Sequence, residues 1–327
     1  MEPLRIGLVG LGTMGRGHLE KEQALDEAKI VAVADVVPAA VEEMKSRYGV
    51  RGFHSHQEMI DSREVEAILI ATPHPFHCPI AVSAAERGLH VLSEKPLAVT
   101  VAEADALIAA AARSGVQLQV GHIERYNRAL RAAEPYLDGP RYIESQRLAP
   151  FQPRGTDVAV VLDLMIHDLD LVLRLTGGAE ATEVRASGLS LLSSHLDIAN
   201  ARVEFTNGAV ALATASRVSR ERVRRLRLFQ PNGYLSLDLA TGAGEFMRVR
   251  RDWQPGTGTA LADVVERVVL EAPEADALQL ELRSFVHAVQ GEREVVVSGE
   301  EGRSALALAL RVADAVRTSP LAVPAAG

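Results

Sequence analysis

The stretch that decides the fold is residues 6–18, IGLVGLGTMGRGH. An apolar run is followed at once by three glycines spaced G-x-G-x-x-G, at the start of a helical segment. In such a strand–turn–helix unit, the first glycine makes the turn, the second lets the backbone approach a pyrophosphate, and the third permits close packing. The helix N-terminus then faces the negative charge. The stretch predicts a dinucleotide-binding turn formed by Gly10, Gly12, Thr13, Met14 and Gly15.

An acidic residue ends the next apolar run, about 20 residues after the glycine turn. Asp35 stands where such folds place the carboxylate that binds a ribose diol. The same carboxylate would repel a 2′-phosphate, and the following Val36, Val37 and Pro38 offer no arginine to bind one. The sequence therefore favours NAD over NADP.

The first part of the chain alternates short apolar runs with amphipathic segments. The runs are typical of strands buried on both faces, and they are Leu4–Val9, Lys29–Ala34, Val65–Ile70, Leu89–Leu92 and Gln117–Val120. Between them, a helix over Pro38–Tyr48 is predicted to stop at Gly49, and one over Val101–Ser114 to begin with a capping box of Thr100 and Glu103. This order predicts an α/β fold: a Rossmann domain over residues 1–122 with a doubly wound parallel sheet.

The pattern changes after about residue 140. Asn207-Gly208 and Asn232-Gly233 each separate two alternating runs, which is typical of antiparallel hairpins. Helices are predicted over Val160–Leu175, Ala277–Gln290 and Ser304–Thr318. Residues 123–327 are therefore predicted to form an α+β domain for substrate binding and oligomerisation, with a largely antiparallel open sheet. A ligand is expected at the seam between the two domains.

Composition limits the classes of function. The chain has 327 residues and a formal net charge of −8, which gives no general attraction to nucleic acid or to an anionic membrane. No uncharged apolar run approaches the roughly 18 residues of a membrane span, and no signal-peptide pattern is present. Cys78 is the single cysteine, so an intrachain disulfide is excluded. We expect a cytoplasmic protein.

Two segments carry groups suited to acid–base chemistry. Lys95 lies between Glu94 and Pro96 at the end of an apolar run, where the proline restricts the backbone before it. Asp163 and His167 are four residues apart on the predicted long helix and would project from one face. The histidine can accept a hydroxyl proton and the carboxylate can orient its ring, although a helix-packing pair would show the same spacing.

A metal site is an alternative interpretation of Asp163 and His167. Further ligands could come from His74, His77 and Cys78 in the stretch HPFHC. The proline in that stretch favours a loop, and no metal is predicted.

Several motifs together resemble the Gfo/Idh/MocA oxidoreductases, nicotinamide-dependent enzymes that act on sugars, polyols and related alcohols. They are GLVGLGTMG, Asp35, ATPHPFH, EKPLA, GHIERYN and DLMIHDLD, and the resemblance covers nearly the whole chain. The lysine of EKP combined with an Asp-x-x-x-His helix is far more specific than the glycine turn.

The resemblance implies a role for each motif. Lys95, followed by a cis bond to Pro96, is expected beside the nicotinamide, where its ammonium stabilises alkoxide charge. Asp163 and His167 would complete the catalytic group. Further cofactor contacts are expected at Thr72, Pro73, His77 and Glu94, whereas His74 stands where many relatives carry asparagine. The implied reaction is oxidation of a secondary alcohol.

The expected substrate is a nucleotide sugar. GHIERYNRA, the helix DVAVVLDLMIHDLDLVLRLTG and SRVSRERVRRLRLF look most like the branch that oxidises the 3-hydroxyl of UDP-N-acetylglucosamine, whose members commonly feed an aminotransferase. Substrate contacts would then come from Lys95, Glu124, Arg125, Tyr126, Asn127, Asp163 and His167. Candidate donors to the diphosphate are Arg128, Arg147 and Arg154.

Other interpretations stay open at this point. A polyol or inositol dehydrogenase of the same family would need no diphosphate clamp. A non-catalytic NAD-binding sensor would use the glycine turn and Asp35 without Lys95 or His167. The basic run Arg217–Arg227 lacks interleaved aromatic residues, so we expect a subunit contact in a homodimer or homotetramer there instead of nucleic acid.

Overall fold

The computed structural model describes residues 2–22, 24–152, 155–156, 158–254 and 260–318. They form two compact units, one within residues 1–123 and 275–307 and the other within 124–274 and from 308 onward. The sequence predicted one continuous second domain over 123–327, whereas contacts group 275–307 with the first unit. Arg154, a candidate phosphate donor, lies outside the described residues.

The first unit is built on a parallel sheet. Its elements along residues 1–123 are β1 (Leu4–Val9), α1 (Thr13–Glu22), β2 (Ala28–Ala34), α2 (Pro38–Tyr48), β3 (Arg51–Phe53), α3 (His56–Asp61), β4 (Ala67–Ile70), a 3₁₀ turn (His74–Phe76), α4 (His77–Glu86), β5 (His90–Glu94), α5 (Val101–Ser114) and β6 (Leu118–Gly121). All pairings are parallel, in the order β3-β2-β1-β4-β5-β6. The predicted doubly wound sheet is confirmed.

Local signals in the sequence set the ends of these helices. Thr100 accepts a hydrogen bond from the Glu103 backbone (3.2 Å), and the Glu103 carboxylate accepts one from the Thr100 backbone (3.3 Å), so the predicted capping box is present. Gly49 ends α2 with φ 68°, a left-handed conformation that favours glycine. The predicted bounds of α2 and α5 are therefore confirmed.

The second unit is built on a mostly antiparallel sheet. Its elements are a 3₁₀ turn (Ile123–Tyr126, shared with the first unit), α6 (Arg128–Ala133), a 3₁₀ turn (Glu134–Tyr136), β7 (Tyr142–Leu148), a π-helical turn (Val161–Met165), α7 (Ile166–Leu175), β8 (Ala181–Leu189), β9 (Ile198–Phe205), β10 (Val210–Ser216), β11 (Val223–Gln230), β12 (Gly233–Asp238), β13 (Ala243–Val249), α8 (Leu261–Val264) and β14 (Val265–Leu270). Two more helices follow in the chain. They are α9 (Ala277–Val289), which belongs to the first unit, and α10 (Gly299–Thr318), whose residues are divided between the two units after position 307.

The strand order of this sheet is β14-β13-β12-β11-β7-β10-β9-β8. Only the pair β7 and β10 is parallel among these described strands. Both predicted hairpins are confirmed, β9 with β10 and β11 with β12. In the part of the chain that the structure describes, no helix is long and apolar enough to cross a membrane.

One predicted helix differs in detail. The segment predicted as a regular helix over Val160–Leu175 begins with the π-helical turn Val161–Met165 and continues as α7. A π turn spaces its hydrogen bonds five residues apart and is frequent at functional sites. Asp163 lies in the π turn and His167 in the first turn of α7, so their four-residue spacing is not that of one regular α-helix.

Candidate active site

The glycine turn has the geometry that a pyrophosphate needs. Gly10 has φ 94°, and a Cβ on Gly15 would lie 1.9 Å from the carbonyl oxygen of Gly10, so neither position accepts a side chain. Around Gly12, by contrast, no heavy atom lies within 4 Å of an added Cβ. That open space lies over the N-terminus of α1, which Thr13 and Met14 begin. The backbone there is accessible to a phosphate group, and the role of these residues in cofactor binding stays a prediction.

Asp35 is held in place at the end of β2. Its Oδ2 accepts a hydrogen bond from the backbone N–H of Leu11 in the glycine turn (2.6 Å), and its Oδ1 accepts one from Val37 (2.9 Å). Each oxygen keeps a further lone pair, which suits a ribose diol. Val36 beside it is 86% exposed, an unusual position for an apolar side chain. The residues present therefore fit a dinucleotide.

The EKP segment leaves β5 through a turn that a buried histidine braces. The Lys95–Pro96 bond is cis, as the resemblance implied. His77, at the start of α4, lies 2.8 Å through Nδ1 from the carbonyl oxygen of Pro96 and 2.7 Å through Nε2 from that of Thr72. Carbonyl oxygens only accept, so the ring donates to both when each nitrogen carries a proton. His77 thus joins the Thr72–Pro73 loop to the segment that carries Lys95.

The side chain of Glu94 points into the protein. Its Oε1 lies 3.0 Å from Nε2 of His18 on α1, and the Glu94 side chain is 11% exposed. This contact ties the end of β5 to the helix that follows the glycine turn. Glu94 was predicted as a cofactor contact, and that role stays a prediction.

The segment that carries Asp163 and His167 also carries two buried acids. Asp168 accepts two hydrogen bonds from Arg147 of β7 (2.9 Å each), and Asp170 accepts two from Arg125 (2.6 and 2.8 Å). All four side chains are 3% exposed or less. These bidentate pairs fix the orientation of α7.

The four residues predicted to bind substrate through the motif ERYN are buried or have structural partners. Glu124 accepts a hydrogen bond from Arg147 (2.7 Å), and Arg125 is paired with Asp170. Asn127 caps α6 by accepting from the Ala129 backbone (3.0 Å) and donates to Glu124 (2.8 Å). Tyr126 is 8% exposed. Their role in substrate binding stays a prediction.

An arginine-lined cavity of about 290 Å³ lies in the second unit. Asp163 is in its wall, and the arginines that line it are Arg147, Arg217, Arg222 and Arg224. Arg147 is committed to Asp168 and Glu124, and Arg217 donates to the carbonyl oxygens of Gly155, Val158 and Leu196. Arg222 and Arg224 are the more exposed members.

Arg224 lies in a positive environment. Burial and the charge of Arg147 lower the pKa of Arg224 from its ordinary value, in spite of Glu124 at 3.6 Å. Although burial would also lower the pKa of Arg147, Asp168 and Glu124 raise it above its ordinary value, so Arg147 stays a cation. An anion placed beside Arg224 would offset this repulsion.

The sequence interpretation missed Arg222 and Arg224 as cavity residues. It had singled out Arg128, which instead donates to the Ala272 carbonyl (3.0 Å) and pairs with Glu274. The sequence did contain a signal. Arg224 lies two and four positions before Leu226 and Leu228, which are fully buried. A residue in phase with them faces the same side of the strand.

Two of the residues considered as metal ligands, His77 and Cys78, are engaged otherwise. Both ring nitrogens of His77 face carbonyl oxygens, and the Cys78 thiol donates to the Glu103 carbonyl (3.3 Å). Burial raises the pKa of Cys78 to about 11, which disfavours the thiolate that binds metals. Within the described residues, a group of histidine and carboxylates converges elsewhere, at His18, Glu94 and Glu281.

Fold and glycine turn together define a dinucleotide-binding protein of the Rossmann type, and comparison with known proteins adds the class of activity. A family profile described as oxidoreductase family, NAD-binding Rossmann fold, matches residues 4–122, and one described as the GFO/IDH/MocA C-terminal domain matches residues 138–236. The chain belongs to the Gfo/Idh/MocA oxidoreductase family. It is an NAD-binding dehydrogenase that acts on CH–OH groups.

Two of the named relatives illustrate different substrates within the family. The chain is 37% identical to UDP-N-acetylglucosamine 3-dehydrogenase of Acidithiobacillus ferrooxidans, over 96% of this chain and 97% of that protein. It is 28% identical to myo-inositol 2-dehydrogenase of Thermotoga maritima, over 93% and 94%. A solved structure of the Acidithiobacillus enzyme superposes with a TM-score of 0.88, covering 97% of this chain and 98% of that one.

Proposed function

We propose that this protein oxidises a secondary hydroxyl of a nucleotide sugar with NAD, and that the substrate is UDP-N-acetylglucosamine or a close analogue, oxidised at the 3-hydroxyl. The observation that carries the proposal is the arginine-lined cavity with Asp163 in its wall. A sugar diphosphate has the charge and geometry that guanidinium groups bind. The similarity to UDP-N-acetylglucosamine 3-dehydrogenase supports the same substrate class.

In this proposal the chain's own residues move the proton and stabilise the charge. His167 accepts the proton of the reacting hydroxyl, and Asp163 orients the imidazole and stabilises its charged form. The Lys95 ammonium stabilises the alkoxide that develops. The bound nicotinamide supplies the hydride acceptor. Asp35 holds the adenosine ribose, and the open backbone at Gly12 receives the pyrophosphate.

Within the cavity, we assign the diphosphate to Arg222 and Arg224. Arg147 and Arg217 already donate to protein oxygens, so they shape the wall. Arg224 gains most from an anion because its positive neighbour, Arg147, is fixed nearby. A neutral polyol such as myo-inositol would leave both guanidinium groups without an anionic ligand.

Initial rates of NAD reduction with UDP-N-acetylglucosamine, free N-acetylglucosamine and myo-inositol test the proposal. The Arg224→Ser and Arg222→Ser variants should each raise KM for the nucleotide sugar about 10- to 100-fold, the loss of one hydrogen bond to a charged group, with little change in kcat. Arg225→Ser is the matched control, since Arg225 is exposed, follows Arg224 on β11 and does not line this cavity. Oxidation of myo-inositol alone would refute the nucleotide-sugar assignment.

Location, assembly and pathway belong to the same proposal. A single buried cysteine is consistent with a cytoplasmic protein.

The rings of Tyr142, Phe229 and Tyr234 lie side by side on the second sheet, with centroids 5.6 and 4.7 Å apart, and the first two are 38% and 40% exposed. Such a half-exposed aromatic row suits a contact between copies in a homodimer or homotetramer, which light scattering would measure. The 3-keto sugar would suit an aminotransferase as the next enzyme.

A further inference from the structure

Three ionisable side chains converge in the interior of the first unit, and one of them immediately precedes Lys95 in the chain. They are His18 on α1, Glu94 at the end of β5 and Glu281 on α9. His18 is 1% exposed and Glu281 is fully buried. One potential ligand atom from each lies within 4.8 Å of the other two, and His18 hydrogen-bonds to Glu94 at 3.0 Å. We call these three residues the buried acid cluster.

Two carboxylates cannot both be charged at this place without compensation. Glu94 has the His18 ring as a partner, but neither oxygen of Glu281 has a hydrogen-bond partner among the described residues. A fully buried, unpaired carboxylate is strongly disfavoured, and a second carboxylate beside it adds repulsion. A proton on one of the two acids removes both penalties and supplies the missing hydrogen bond.

The surrounding charges decide which acid carries the proton. His18, Lys95 and His77 lower the pKa of Glu94 against the effect of burial, so Glu94 stays ionised. Burial and the charge of Glu94 raise the pKa of Glu281 well above its ordinary value. From β6, Gln119 contributes an uncharged amide, which donates to the Glu281 backbone carbonyl (3.2 Å). Further charged or titratable groups lie on the same two helices. On α1, Glu22 is buried, Glu20 is exposed, and Arg16 and Lys21 pair with Glu43 and Asp276. On α9, Arg283 pairs with Glu27, and His287 lies 3.7 Å from Glu292.

We propose that Glu281 is a neutral carboxylic acid that donates a hydrogen bond to the Glu94 carboxylate, and that it thereby acts as a positioning residue for Lys95. The bond joins α9 to the end of β5, while the bond from His18 joins the same carboxylate to α1. Glu94 is covalently next to Lys95, so fixing its side chain fixes the backbone from which the lysine extends. The effect on catalysis rests on the role proposed above for Lys95, whereas the protonation of Glu281 does not.

The contribution of Glu281 to the free energy of unfolding should decrease as the pH rises. Glu281 binds its proton more tightly in the folded protein than in the unfolded chain, where its pKa is ordinary, about 4.5. The stability that the proton contributes is complete below that value and is lost as the pH rises through the raised folded value. Over this range, the unfolding equilibrium constant should rise by up to about tenfold per pH unit because of this one group.

Glu281→Gln separates the proton from the hydrogen bond, because the amide can donate to Glu94 but cannot ionise. The ratio of the unfolding constants of wild type and Glu281→Gln should therefore rise with pH, by up to about tenfold per unit. Glu20→Gln, an exposed position on α1, is the control and should follow the wild type at every pH. A wild-type to Glu281→Gln ratio that does not change with pH would overturn the proposal.

Infrared difference spectroscopy detects the protonated carboxylic acid directly, independently of any effect on stability. The carbonyl stretch of a protonated carboxylic acid should be present in the wild type at neutral pH and absent from Glu281→Gln. Elemental analysis of the purified protein distinguishes a bound proton from a bound metal ion at this cluster. One divalent metal per chain, lost in Glu281→Gln, would overturn the proton assignment in favour of a metal bound by His18, Glu94 and Glu281.

Turnover tests the positioning role. Glu281→Leu removes the donor and should lower kcat about tenfold or more, with KM for NAD changed much less, and Glu281→Gln should restore most of the loss. Equal kcat in the wild type and both variants would refute positioning. If no sugar is oxidised by the wild type, the proposed function has failed, whereas the infrared and stability results still decide the protonation of Glu281.

Discussion

Replacing Arg147 by methionine should destabilise the second unit strongly. The guanidinium is 3% exposed and donates twice to Asp168 (2.9 Å each) and once to Glu124 (2.7 Å). Removing it leaves two carboxylates, 3% and 6% exposed, without the cation that they share. Breaking a buried ion pair in this way costs about 3–5 kcal/mol. For a unit of this size, we expect the thermal midpoint of unfolding to fall by about 6–20 °C.

The assay is thermal unfolding followed by calorimetry, with Arg248→Met as the control. Arg248 pairs with Glu266 at 2.9 Å in the same sheet, but the two side chains are 39% and 43% exposed. Solvent screens such a pair, so its loss should lower the midpoint much less than the loss of Arg147 does. If Arg147→Met lowers the midpoint no more than Arg248→Met, the argument from burial is wrong.

Arg147→Lys distinguishes charge from geometry at the same position. The lysine keeps one positive charge but cannot reproduce the planar fork that donates to Asp168 and Glu124 together. We expect a loss of stability between that of the wild type and that of Arg147→Met. A midpoint equal to the wild type would show that the bidentate geometry contributes nothing.

Two further predictions concern the cofactor and the reaction. Lys95→Met should lower kcat about 100- to 1,000-fold, because one group that stabilises the developing oxyanion charge is lost. NAD binding, measured by fluorescence titration, should change only a few-fold. Full activity in this variant would remove Lys95 from the catalytic group. Asp35→Ser should weaken NAD binding about 10-fold or more by removing the charged acceptor of the ribose diol, and should narrow the ratio of KM for NADP to KM for NAD, because the repulsion of the 2′-phosphate is gone. An unchanged cofactor ratio in steady-state kinetics would contradict the role assigned to Asp35.

Short-range signals account for the part of the fold that the sequence predicted. A strand buried on both faces must be apolar along its length. β4 follows that rule, and β1 follows it except at the exposed Arg5. Helix ends were predicted where a residue type is required, as at Thr100 and at Gly49. The edge strand β3 was not predicted, because its three residues, Arg51–Phe53, are too few to show a pattern.

Short-range sequence signals could not predict contacts between residues that are far apart in the chain. The buried acid cluster joins residues from α1, β5 and α9, and the sequence had placed α9 in the other domain. One local hint existed, because Glu281 interrupts a helical stripe formed by the buried Leu278, Leu282 and Phe285. An acid in such a stripe is unusual, since burial of a charged group needs a partner. The sequence alone does not identify that partner, which lies 187 positions earlier at Glu94.

The acids of the segment DLMIHDLD divide into two roles that its spacing alone did not separate. Asp168 and Asp170 face the interior and accept bidentate bonds from Arg147 and Arg125, whereas Asp163 reaches the wall of the arginine-lined cavity. Because the two buried pairs hold α7 against rotation, they also set the direction in which the π turn presents Asp163. A change at Arg125 or Arg147 should therefore lower turnover through a displacement of Asp163, since catalytic geometry tolerates only small displacements.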